Sequence, residues 1–259
     1  MAPPCPTPPF PILVAGLPGV PGFNAFFNLR ARYPGRVFGL APPGVRSLES
    51  AGLPFGTGLL AADPEDPEDL ERIFREHGFG AVLDASGWCA LKPCERDPAL
   101  ARRLNVGIGM RLMAAARRFG ARLVRLSTDL VFDGRPRREG GVLRLGAYRE
   151  GSPISPVTVY GKLMAEAEAD ILAGYPDAAV LRIALPMGPS LNGHAGAVDW
   201  IADRFRNGRP ATLYFDEVRS ALYVQDLNAA LAHFLAIDAA GIFHLGGPRP
   251  LSLYRMAQA

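Results

Sequence analysis

The sequence predicts an α/β domain built on a doubly wound, mostly parallel sheet. Three observations predict it: short apolar runs of strand length recur along the chain, helical stretches separate them, and a glycine-rich turn joins the first run to the first helix. Strands covered by helices on both faces are buried completely, so they read as continuous apolar runs rather than alternating ones. The 259 residues are 49% hydrophobic and 20% charged, enough for a sizeable core and too apolar for a disordered chain.

Taken in order, residues 1–10 carry five prolines and are expected to form a disordered, extended arm. Pro11-Ile12-Leu13-Val14-Ala15 is the first strand, followed at once by glycines. Phe23, Phe26 and Phe27 stand at i, i+3 and i+4, which gives the next stretch a helical apolar face ending near Tyr33-Pro34-Gly35. Val37-Phe38-Gly39-Leu40 and Gly58-Leu59-Leu60-Ala61 read as the second and third strands, separated by a turn-rich segment. Pro67 to His77 is a helix with Leu70, Ile73 and Phe74 on one face and acidic residues in its first turn. Ala81-Val82-Leu83-Asp84 is a strand. Pro98 to Phe119 reads as one long helix, and Leu123-Val124-Arg125-Leu126-Ser127 as the next strand. A helix from about Val157 to Ala173 leads into the strand Ala179 to Ile183. Leu227 to Ile237, with Asp226 as its N-cap, is the last long helix before the strand Gly241 to Leu245. Residues 134–156 and 186–221 break the rhythm. The expected division is a nucleotide-binding domain over 11–185 and 222–246 and a small substrate lobe over 186–221 and 247–259.

Several functions are excluded by composition. Twenty-eight basic against 25 acidic residues leave a formal charge of +3, and the arginines between Arg102 and Arg125 lack interleaved aromatic stacking platforms, so they read as a solvated face rather than a nucleic-acid surface. No window approaches the roughly 18 apolar residues of a membrane span. Three cysteines at no zinc-like spacing suit a reducing compartment, and a cytoplasmic location is expected. The four histidines are too scattered for a metal site.

Gly16, Gly19 and Gly22 fall between the first strand and helix. Glycines there let backbone approach a pyrophosphate, which the free N–H groups and dipole of a helix N-terminus favour. Pro18 and Pro21 each remove a donor from the turn. The second strand runs into Leu40-Ala41-Pro42-Pro43 without the carboxylate that grips a ribose 2′-hydroxyl, and Arg46 follows, so NADP is expected over NAD, which is not excluded.

Three later segments carry a resemblance: Asp84-Ala85-Ser86-Gly87-Trp88, Leu126-Ser127-Thr128-Asp129-Leu130-Val131-Phe132-Asp133-Gly134, and Val159-Tyr160-Gly161-Lys162. In this order they resemble the extended short-chain dehydrogenase/reductases, and among those the dTDP-4-dehydrorhamnose reductases. The likeness continues in Arg219-Ser220-Ala221-Leu222-Tyr223-Val224-Gln225-Asp226-Leu227 and in Gly241 to Gly247, and spans about residues 12 to 256. It implies a Rossmann-like fold and hydride transfer between a nicotinamide and a keto group of a nucleotide-linked sugar. It further implies Tyr160 as proton donor, Thr128 as the hydroxyl that orients the carbonyl, and cofactor contacts at Ala85, Ser86 and Gly87. Arg219 and His194 are the implied substrate contacts, and Arg182 stands with Arg219 as a candidate for a diphosphate. Tyr160 also reads as a half-buried core residue on an amphipathic helix.

The family's lysine stands four residues after the tyrosine, and here that position is Met164. Lys162 is about 200° around the helix from Tyr160, whereas Met164 lies about 40° away, so Lys162 is expected to face elsewhere. Family members continue past Met256, so part of the substrate lobe is expected to be lacking. Two functions follow: an NADP-linked reductase of a nucleotide-activated keto sugar, impaired by Met164, or a non-catalytic nucleotide-binding subunit. The expected protein partner is a second copy or another enzyme.

Overall fold

The computed structural model describes residues 6–42, 58–144, 146, 148–191, 193 and 196–258. Seven strands form one parallel sheet: β1 (Ile12–Ala15), β2 (Val37–Ala41), β3 (Leu59–Ala61), β4 (Ala81–Asp84), β5 (Arg122–Thr128), and, after an antiparallel hairpin of β6 (Arg137–Glu139) and β7 (Val142–Arg144), β8 (Ala179–Ile183) and a final strand at Gly241–Leu245. Between these last two come β9 (Pro186–Met187), β10 (Val218–Arg219) and β11 (Leu222–Tyr223). The final sheet strand is therefore β12, and β13 (Leu251–Ser252) follows it. The sheet order is β12-β8-β5-β4-β1-β2-β3, the doubly wound arrangement expected, with all seven strands at the positions the apolar runs mark. The small pairs β9–β11 and β10–β13 lie outside it.

The helices are α1 (Val20–Arg32), α2 (Pro67–His77), α3 (Leu91–Arg96), α4 (Pro98–Arg102), α5 (Ile108–Phe119), α6 (Val159–Gly174), α7 (Ala197–Arg206), α8 (Val224–Ala236) and α9 (Leu253–Gln258). Strand side chains alternate between two apolar layers. Val14, Leu83 and Val124 pack with Phe26 and Leu29 of α1 and Leu231 and Leu235 of α8. Leu13, Val82 and Leu123 pack on the other face with Phe74 of α2 and Leu112 and Ala116 of α5. Sheets buried on both sides require this division, because each strand places successive residues on opposite faces.

Four expectations need correction. The arm is not free at its end: Pro8 is buried, Phe10 sits edge-on to Tyr33 at 4.9 Å between ring centres, and the Arg36 guanidinium lies 5.0 Å from the Phe10 ring. Burying an aromatic ring offsets the entropy of ordering these few residues. The helix over 98–119 is interrupted by a π-turn at Arg103–Gly107, where the buried Arg125 donates through Nη2 to the Asn105 carbonyl at 3.0 Å and draws it out of the α ladder. Arg122 and Arg125 do not join the solvated face. Arg125 is 1% exposed, and Arg122 donates to the carbonyls of Asp177, Phe234 and Ala239. Asp226 is not a cap: α8 starts at Val224, which puts Asp226 inside its first turn. Among the described residues no helix is long and apolar enough to cross a membrane.

Candidate active site

Strand order reverses direction between β1 and β4, and in open α/β sheets the crevice at the carboxyl ends of such strands is where ligands bind. The glycine turn lies there. Gly16 adopts φ +83°, and a Cβ on it would stand 2.1 Å from the Ala85 carbonyl oxygen; one on Gly22 would stand 2.2 Å from the Gly16 carbonyl oxygen. Both glycines therefore let backbone pack on backbone. Gly19 is different, since a Cβ there meets nothing closer than 3.6 Å. It N-caps α1 with no side-chain partner and no acidic residue in the first turn, leaving the end of the helix open to an anion, although Pro21 removes one donor. Gly16→Ala and Gly22→Ala are expected to destabilise the protein by more than about 2 kcal/mol, and Gly19→Ala by less than about 1 kcal/mol. Urea unfolding curves of the three variants check the ranking.

On the other side of the crevice, the segment after β4 is tied down. Ser86 donates to Asp84 Oδ1 through both its backbone N–H (2.9 Å) and its hydroxyl (2.5 Å). Asp84 and Arg125 face each other in register on β4 and β5. Arg125 Nη1 donates to Asp84 Oδ2 at 2.7 Å and to Ser86 Oγ at 2.9 Å. The Trp88 N–H donates to Asn105 Oδ1 at 2.6 Å. Ala85, Ser86 and Gly87 are thus presented on a strip held from three elements.

Thr128 ends β5, buried, with Oγ1 accepting the Leu130 N–H at 3.2 Å. Thr158 caps α6 by accepting the Gly161 N–H at 3.0 Å and so starts the helix two residues before Tyr160. The half-buried Tyr160 packs against two apolar clusters, one that contains Val106 and Leu163 and one that contains Val131 and Met164. The Thr128 hydroxyl is a polar neighbour of its phenol. Burial, first, and the nearby Cys89 and Asp129 push the phenol above its ordinary range, while Arg125 and the Thr128 hydroxyl pull it back. The phenol is held protonated, as a proton donor must be.

Met164 is 3% exposed and packs with Val131, Phe132, Ala165, Tyr148 and Tyr160, whereas Lys162 is exposed. The two arginines expected at a substrate diphosphate are engaged within the protein. Arg219 binds both oxygens of Asp129, with Nε to Oδ2 at 2.7 Å. Arg182 grips Glu168 of α6 through Nε (2.9 Å) and Nη2 (2.7 Å), and Glu168 also accepts the Ser127 hydroxyl at 2.5 Å. Arg46 and His194 lie outside the described residues. Among the described residues no cluster of His, Cys, Asp or Glu could hold a metal ion.

Sequence reasoning missed the Asp84–Arg125–Asn105 and Ser127–Glu168–Arg182 networks. A signal was present, because a strand buried on both faces has no room for an unpaired charge, yet Arg125 and Arg182 stand inside such runs.

A parallel sheet with a glycine turn at its switch point is the fold of the short-chain dehydrogenase/reductase class. Within that class the chain belongs to the RmlD substrate binding domain family, which matches residues 45–259. It is 35% identical over 207 residues to a dTDP-4-dehydrorhamnose reductase of Streptomyces griseus, covering 77% of this chain and 60% of that protein. It is 30% identical over 217 residues to the methionine adenosyltransferase 2 subunit beta of Rattus norvegicus, covering 79% and 62%. The chain therefore spans less than two thirds of the length of these curated relatives. Its fold is similar to that of the Thermus thermophilus UDP-glucose 4-epimerase in complex with NAD, with a TM-score of 0.78, 28% identity, and coverage of 95% of this chain and 80% of that one. A dTDP-4-dehydrorhamnose reductase from Bacillus anthracis in complex with NADP gives a TM-score of 0.77 at 19% identity, covering 95% and 78%. Structural relatives thus include both an NADP and an NAD complex.

Proposed function

We propose that the protein is an NADP-linked reductase of the keto group of a nucleotide-linked sugar, slow because Met164 stands where its relatives carry a lysine. The observation that carries this reading is the desolvated, protonated Tyr160 with the Thr128 hydroxyl beside it, next to the strip that begins at Asp84. The turn from Gly16 to Gly22 fits a pyrophosphate: two glycines are consumed by backbone packing and the open Gly19 leaves space in front of the α1 N-terminus. Ala85, Ser86 and Gly87 would line the cofactor's other flank. When bound, the nicotinamide supplies the hydride. Tyr160 gives its proton to the carbonyl oxygen, and Thr128 holds that oxygen toward the phenol. The described residues of 186–221 and 247–258 would make the lobe that receives the sugar nucleotide. There Arg219 meets a diphosphate by exchanging Asp129 for it. An absent carboxylate at the end of β2 supports NADP over NAD.

A second reading, a nucleotide-binding subunit without turnover, is favoured by the burial of Met164 in an apolar cluster and by the likeness to a protein named as a subunit. Fluorescence titration with NADPH, followed by its oxidation in the presence of a dTDP-linked 4-keto sugar, separates the two. Saturable binding with turnover that Tyr160→Phe reduces by at least about a hundredfold is the expected result. Binding without turnover selects the subunit reading, and absence of binding overturns both.

A further inference from the structure

We infer that Asn24 of α1 is a positioning residue that couples binding of a dinucleotide at the glycine turn to the placement of the substrate lobe. This rests on the reading of that turn as the dinucleotide site. Asn24 stands in the second turn of α1, and its Nδ2 donates to two carbonyls, that of Val20 at 2.7 Å and that of Pro189 at 2.8 Å. The first acceptor belongs to the residue that opens α1, directly after the Gly19 cap, and the second to the turn that leaves β9 for the lobe. Because both neighbours are carbonyls, an amide nitrogen serves here and a carboxylate of the same shape does not. Val20 is shared a second time. A Cβ on Gly196, the cap of α7, would stand 2.7 Å from Val20 Cγ2 and 3.3 Å from the Gly188 carbonyl oxygen. The start of α7 therefore rests on the same residue whose carbonyl Asn24 holds.

Beyond β9 the lobe segment is lightly anchored. Leu191 reaches the core beside α1 and α8, and α7 buries one residue, Ile201. The first turn of α7 is tied to the preceding segment through Asp199, whose Oδ2 accepts the Ser190 N–H at 2.8 Å and the Ser190 hydroxyl at 2.6 Å. That tie is internal to the lobe. Among the described residues, the hydrogen bond that joins α1 to 186–206 is the one from Asn24. A segment with so few buried contacts opens locally at low cost, so a single bridge weighs on its position. Asparagine is also a poor residue for a helix interior, because its amide competes for backbone groups, and here that competition is directed across to Pro189. A dinucleotide on the N–H groups of the first turn of α1 orders Val20. The ordering reaches α7 through the Asn24 bonds and the Gly196 contact. Such coupling is reciprocal, so an ordered lobe in turn strengthens dinucleotide binding.

Hydrogen exchange of the full chain, followed by mass spectrometry over α7, tests this without turnover, with NADPH binding read separately by fluorescence. Saturating NADPH is expected to slow exchange in α7 at least about fivefold in the parent and less than about twofold in Asn24→Ala. By reciprocity, the NADPH dissociation constant of Asn24→Ala is expected to rise by about the same factor. Ser190→Ala is the structural control. It removes one of the two bonds to Asp199 and is expected to speed exchange in α7 while keeping the response to NADPH. A merely structural bridge would speed exchange in Asn24→Ala and leave its response to NADPH intact, and that result overturns the inference. So does NADPH that binds the parent without slowing exchange in α7. Failure of NADPH to bind overturns the dinucleotide reading and the inference with it. Binding and coupling without turnover of keto sugars overturn the reductase reading alone.

Discussion

Met164→Lys is expected to raise the rate of hydride transfer about ten- to a hundredfold in the folded protein. The side chain at 164 stands one turn beyond Tyr160 on the same face of α6 and belongs to the apolar cluster against which Tyr160 packs. An ammonium about 6 Å from the phenol, at the effective dielectric typical of protein sites, favours the phenolate by about 2–3 kcal/mol, close to two pH units. That offsets much of the upward push that burial gives the phenol. The substitution has a cost, since Met164 is 3% exposed among apolar neighbours, and stability is expected to fall by about 2 kcal/mol. Single-turnover fluorescence with pre-bound NADPH measures the rate, and thermal unfolding measures the cost. An unchanged or slower rate in a folded variant shows that the side chain at 164 does not address the phenol. Lys162→Met is the control, and it is expected to leave both quantities nearly as they are, because Lys162 is exposed.

The second large effect concerns stability. Glu168→Leu is expected to destabilise the protein by about 3–5 kcal/mol, lowering the melting temperature by on the order of 10 °C. Glu168 and Arg182 are 3% and 4% exposed, and removing the carboxylate strands a buried guanidinium held to it through two nitrogens. It also leaves the Ser127 hydroxyl without its acceptor. The double variant Glu168→Leu with Arg182→Met removes both charges, and is expected to recover at least half of the loss. Calorimetric unfolding of the two single variants and the double one closes the cycle. A double variant as unstable as the sum of the singles would show no coupling between the two side chains and overturn this account of the pair.

The Asp84–Arg125 pair differs from the Glu168–Arg182 pair in location. The former lies under the strip that faces the crevice, and the latter ties α6 to β8. Both stand on the helical face that also carries α5, at the carboxyl half of the sheet, where a doubly wound fold concentrates polar groups beneath its ligand. Such groups are tolerated in the interior when they are paired, which explains why each arginine is found with its carboxylate and a hydroxyl or carbonyl as well.

The sheet strands were legible because burial imprints apolar runs on them, wholly buried at Ile12-Leu13-Val14 and half-buried at Gly241-Ile242-Phe243, and interrupted by Arg125 in β5 and Arg182 in β8. The glycine spacing and the Tyr160 and Thr128 positions were legible for a related reason: a turn with positive φ and a phenol one helix turn from Met164 are local statements, settled by a few consecutive residues. The arm at Pro8 and Phe10 was not legible, since whether a proline-rich segment frays depends on Tyr33 and Arg36 being within reach. Nor was the break at Arg103–Gly107, whose residues have no helix breaker apart from its final glycine.

By itself, then, the chain's order of residues determined the α/β class, the strand positions and the glycine turn, because each depends on neighbours in sequence. Only the tertiary structure decided which charges meet: Arg125 with Asp84, Arg182 with Glu168, and Arg219 with Asp129. These partners are 41, 14 and 90 residues apart. An isolated charge carries no mark of its partner, and the energy that selects the partner exists only once the sheet has excluded water from between them.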